Sequence, residues 1–164
     1  MLPDPLHPAV VHFPIALAAL IPLLALLTLL VIARGWLPVR TWSLIVLLQA
    51  LLVGSAWFAQ ETGEEQEERV ERVVAERHIE EHEEAAEYLL PLAAAGLALA
   101  AAGLLPGRPG TLARVVASGA SLIVLATAVR VGHSGGALVY QHGAASAYTA
   151  TEQASQAEAD APTH

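Results

Sequence analysis

The 164-residue chain contains no cysteine and no lysine, and that removes several kinds of chemistry at once. Without thiols there can be no disulfide, no thiolate metal centre, and no Cys-x-x-Cys-His attachment of haem. Acids are scarce outside one stretch, because residues 61–87 hold twelve of the sixteen. A net charge of −8 with no basic patch excludes nucleic acid as a partner. The first eleven residues carry Pro3, Pro5 and Pro8 but no basic n-region, so they are not read as a cleavable signal peptide.

What the chain has in excess is apolar sequence. It is 55% hydrophobic with a mean hydropathy of +0.52, too apolar for an ordinary soluble domain of this size. Residues 13–33 form an uninterrupted apolar run after His12-Phe13-Pro14, long enough for the roughly 20 residues that cross a bilayer. Pro22 is expected to kink it. Further spans are read at 42–59, 85–105 and 111–131, giving one all-α, integral membrane four-helix bundle over residues 1–148. Gln49, alone at mid-span, is expected to bond a neighbouring helix. Residues 149–164 lack periodicity and read as a disordered tail.

The acidic stretch has no proline or glycine from 64 to 87, which predicts an acidic helical insert, residues 61–84, that extends span three out of the membrane. Val70, Val74, His78, His82 and Ala86 recur every fourth residue, so the stripe and its two histidines should face protein. Arg34, Arg40, Arg108 and Arg114 share the loops at one end of the bundle, and the other end is acidic. The positive-inside rule then puts the arginine loops in the cytoplasm and both termini outside, in a bacterial inner membrane.

That topology gathers His7, His12, His78, His82, His133 and His142 at one end, leaving only His164 in the tail. Imidazole is the commonest nitrogen ligand for transition metals and haem iron. Arg130 could pair with an acid or a haem propionate, and Glu81 could join a metal's ligands. His78 and His82, four apart on a helix, can both reach one ion but cannot both be axial to one haem. Their H-x-x-E-H spelling arises easily in so glutamate-rich a run and is not read as a protease motif. The stretch Val131 to Gly143, with glycines at 132, 135, 136 and 143, is read as a segment able to wrap closely over a ligand.

The opening His7-Pro-Ala-Val-Val-His-Phe-Pro-Ile-Ala-Leu17 and the closing Gly135-Gly-Ala-Leu-Val-Tyr-Gln-His-Gly143 resemble the bacterial membrane family catalogued as domain of unknown function 2231. The likeness covers about residues 5–145 and implies four spans. His7, His12, His82 and His142 are the positions that match its histidines. Variants of the Gly132-His-Ser-Gly-Gly136 spelling beside cytochrome domains imply a redox setting by analogy. The expectation is a b-type haem electron-transfer protein. Spans one and three should be diagonal, making His12 and His82 the first axial pair, with His7, His133 and His142 supporting. The alternatives are a copper, zinc or iron ion held by histidines, or a non-catalytic subunit that docks a redox protein. The bilayer is a certain neighbour on this reading, and a membrane or periplasmic redox protein or quinone an expected one.

Overall fold

The computed structural model describes residues 6–149. α1, His7–Val10, passes through a still-helical Val11 into α2, His12–Ala33. A 3-10 turn at Val39–Trp42 leads to α3, Ser43–Val70. α4, Glu76–Glu87, meets α5, Leu89–Ala102, at Tyr88, and α6 spans Gly107–Tyr140. The interruption at Tyr88 follows from Pro91, which has no N–H to offer the Glu87 carbonyl. Four of these helical runs are long and apolar enough to cross a membrane. The chain is an all-helical membrane protein of four spans.

The core seam advances in three- and four-residue steps in every span. Buried positions are Pro14, Ala18, Ile21, Ala25 and Thr28 in α2, and Ile45, Gln49, Leu52, Ala56, Ala59 and Thr62 in α3. Leu89, Ala93, Gly96 and Ala100 line α5, and Arg114, Ala117, Ser121, Val124 and Ala128 line α6. A seam repeating every 3.5 residues is that of left-handed helix packing, and its small residues let backbones approach closely. Leucines cover the outside instead: Leu23 is 67% exposed and Leu112 65%. An apolar coat around a small-residue core belongs in lipid.

The seam repeats itself between the two helical hairpins. Adding 75 to His7, Pro14, Ala18, Ile21, Ala25 and Thr28 lands on His82, Leu89, Ala93, Gly96, Ala100 and Gly103. Adding 72 to Trp42, Ile45, Gln49, Leu52, Ala56 and Thr62 lands on Arg114, Ala117, Ser121, Val124, Ala128 and Ser134. Spans one and two thus form one unit, and spans three and four its counterpart. α2 packs on α3 and α6, and α5 packs on the same two, so spans one and three are diagonal.

Two expectations change. The acidic stretch is not one helix belonging to span three, because the chain turns at residues 71–75, where Ala75 is extended with ψ 132°. Residues 61–70 prolong span two and 76–87 precede span three. Burying Val74 with Ile79, Leu138 and Ala144 stabilises this hairpin, whereas a single helix would carry that side chain into water. The glycine-rich segment likewise is not a loop, since α6 continues through Gly132, Gly135 and Gly136 to Tyr140. Only Gly143, at φ 77°, makes the turn foreseen for it. The tail beyond Thr149 lies outside the described residues.

At the arginine end several buried polar groups turn back onto their own bundle. Trp42 Nε1 donates to the Ala100 carbonyl at 2.9 Å, and Arg114 donates to the Gly103 carbonyl and, at 3.0 Å, to Thr111 Oγ1. Ser118 and Ser121 donate to carbonyls one turn back. Gln49 is fully buried beside Gly96, but its Oε1 has no partner among the described residues. The amide therefore sits against a neighbouring helix, with its Oε1 unbonded. An apolar storey of Ala18, Ile21, Leu52, Ala56, Ala93, Val124 and Ala128 separates this end from the histidines.

Candidate functional site

Two histidines, one from each hairpin, meet at the opposite end. His7 sits at the first turn of span one, where Pro8 follows it and costs nothing because the N–H it lacks has no helical partner. His82 occupies the equivalent place at the head of span three. Both line one cavity of about 70 Å³, closed by Pro14, Ala56, Ala59, Leu89 and Ala128 with Gln60 at its edge. The walls are otherwise apolar, so the imidazoles are its principal polar groups.

The hydrogen bonds fix the tautomer of each neutral ring. His7 Nδ1 lies 2.9 Å from the Ala59 carbonyl, which can only accept, so Nδ1 carries the proton. Thr62 Oγ1, 3.3 Å from the same nitrogen, sends its own proton to the Ala59 or Phe58 carbonyl and is free to accept. His82 Nδ1 lies 2.9 Å from Ser134 Oγ, whose proton goes to the Val131 carbonyl at 3.0 Å. Ser134 therefore accepts from His82. In both rings Nε2 keeps its lone pair, and no described residue bonds it.

The clamp is the same twice over. Each imidazole has a hydroxyl at Nδ1, and the next residue is a glycine against the ring. A Cβ at Gly63 would stand 3.1 Å from His7 Cε1, and one at Gly135 would stand 3.0 Å from His82 Cε1. Only the absence of a side chain lets the rings lie so close to α3 and α6. Tying Nδ1 to a fixed acceptor, which orients the ring and leaves Nε2 basic, is how proteins prepare a histidine to bind a metal.

The remaining candidates lie elsewhere. His78 stacks on His142, ring centroids 3.7 Å apart and planes 13° from parallel. Its Nε2 accepts from Arg77 Nε at 3.2 Å, and its Nδ1 lies 3.7 Å from Glu81, beyond hydrogen-bond distance. His78 and His82 are not brought together as a pair. His12, Arg130 and His133 are exposed on the bundle surface, as is Glu81. His12 is five residues beyond His7, a rotation of about 140° on a helix, which turns it from the interior. Among the described residues no three His, Asp or Glu side chains converge as a metal-binding group. Thr62, Gly63 and Ser134 are partners that sequence reasoning missed. Their only sequence signal is a hydroxyl-glycine dipeptide at equivalent points of spans two and four.

Residues 3–147 match the model of the family described as Predicted membrane protein (DUF2231), and the chain belongs to that family. No curated protein and no solved structure matches it.

Proposed function

We propose that this DUF2231 membrane protein binds one transition-metal ion between His7 and His82, with copper the preferred metal. The observation that carries this reading is the pair of clamped imidazoles, each with Nδ1 occupied and Nε2 bare, on one small cavity. Two nitrogen donors without a carboxylate suit copper, which binds such donors most strongly in the divalent series, and not magnesium, calcium or manganese. A cavity of about 70 Å³ accommodates an ion and one or two waters. The coordination positions left open would let the ion be passed on or change oxidation state. With the arginine loops in the cytoplasm of a bacterial cell, the site opens to the periplasm, where a metal donor or redox protein could reach it.

A second reading, b-type haem for electron transfer to a redox protein or quinone, is favoured by one feature. His7 and His82 stand on diagonal helices at equivalent positions, as two axial ligands on opposite faces of a ring would. Pockets for ligands smaller than haem begin at roughly 300 Å³, so this reading requires the helices to part there.

Purification without chelators, with copper and haem both supplied, separates the readings. The expected product has one copper per chain and no Soret band, and loses its copper in His7→Ala and in His82→Ala. A Soret band whose haem extracts into acidified organic solvent would replace the copper reading with the second. A product with neither group would overturn both and leave a docking subunit.

A further inference from the structure

The arginine end carries a site of its own. Arg34, Arg40, Arg108 and Arg114 gather there, yet no acid occurs between Asp4 and Glu61 or between Glu87 and Glu152. The fold therefore supplies these arginines with no carboxylate from their own end. Arg114 is the extreme case. It is only 5% exposed, its partners are a carbonyl and a hydroxyl, and its Nε has no partner among the described residues. A buried cation left to neutral partners is costly, so in a membrane it marks a function more often than a packing need. The internal repeat sharpens the point, because the equivalent position in the other hairpin holds Trp42, whose single donor is satisfied by the Ala100 carbonyl. The seam accepts a neutral residue there.

Arg114 lines an open groove of about 690 Å³ together with Arg108, Thr111 and the first turn of α6. That 34-residue helix begins at Gly107 after Pro106 and has no side-chain cap, so the N–H groups of Gly107 and Arg108 are unclaimed. A helix start of this kind favours an anion and has the hydrogen-bond geometry for phosphate oxygens. The groove's other wall is apolar, and Leu105, Leu112 and Val115 are 53%, 65% and 51% exposed on the surface that faces lipid.

We infer that this groove binds the phosphate of an anionic glycerophospholipid, with Arg108 and the start of α6 on the phosphate, Arg114 beneath it, and an acyl chain along Leu112 and Val115. The lipid is the source favoured over free phosphate because the apolar wall continues the groove into the lipid-facing surface.

The full chain in detergent, incubated with equimolar phosphatidylglycerol and phosphatidylcholine, can be weighed by native mass spectrometry. One phosphatidylglycerol should be retained in preference, by about fivefold per arginine contact. Arg108→Gln should lose that preference, while Arg34→Gln, at the same end but outside the groove, should keep it. Equal retention of the two lipids, or equal loss in both variants, would overturn the site. Inorganic phosphate that displaces the lipid at millimolar concentration would show that the anion alone is read, and would overturn the lipid assignment. Arg108 is exposed, so its replacement leaves the fold intact.

Discussion

The two hairpins share a seam and a histidine clamp, and they differ in what they place at the far end. Hairpin one puts Trp42 and Gln49 where hairpin two puts Arg114 and Ser121. The histidine end is the same in both, down to a hydroxyl at Nδ1 and a glycine beneath the ring. Packing alone does not demand that sameness, since Ile45 and Ala117 fill equivalent seam positions with very different volumes. Where only space must be filled, the halves have diverged. Where the two proposed ligands stand, they match.

That equivalence can be broken directly. His7→Ala and His82→Ala should each lower copper affinity by more than about 100-fold, beyond what loss of an outer partner costs, and to similar extents. Competition against a chromophoric chelator measures both. A large loss from one and none from the other would show that a single ring carries the site. Gly63→Ala and Gly135→Ala come next, because the new methyl would stand 3.1 and 3.0 Å from an imidazole. Each ring must then shift by a few tenths of an ångström, and affinity should fall by on the order of tenfold with the fold intact.

The hydroxyls should reveal a smaller asymmetry. Ser134→Ala removes the hydroxyl that accepts from His82 Nδ1 at 2.9 Å, and about a tenfold loss is expected. Thr62→Val should cost less, because the Ala59 carbonyl still takes the His7 proton at 2.9 Å. Equal losses would mean that the carbonyl does not hold the ring. Deeper in the bundle, Gln49→Leu removes an amide whose Oε1 has no partner among the described residues. It should change unfolding stability by no more than about 1 kcal/mol and leave copper binding untouched. Smallest of all, His12→Ala and His133→Ala should alter neither property, since both side chains are exposed.

The four spans were legible because apolar length and loop charge are read along the chain. The meeting of histidines at one end followed from the parity of the spans. Which histidines face each other did not, because it depends on helix phase. His7 and His12 are five residues apart, and only the packed seam decides which of them turns inward. The stripe from Val70 to Ala86 was visible as protein-facing, but its interruption at residues 71–75 was not. No glycine or proline marks that turn, and burial of Val74 against Leu138, far away in sequence, stabilises it. The internal repeat was hidden for another reason. Apolar substitution has erased most identities along the spans, and the repeat survives in spacing, in His7 and His82, and in the hydroxyl-glycine pairs.

Extended X-ray absorption at the copper edge of the metal-loaded protein tests the central claim most directly, because imidazole rings scatter in a recognisable pattern. Two histidine imidazoles per copper are expected in the wild type and one in either His7→Ala or His82→Ala that still retains metal. A copper with no imidazole, or one whose two imidazoles persist in both variants, would contradict the assignment of His7 and His82 as the ligands.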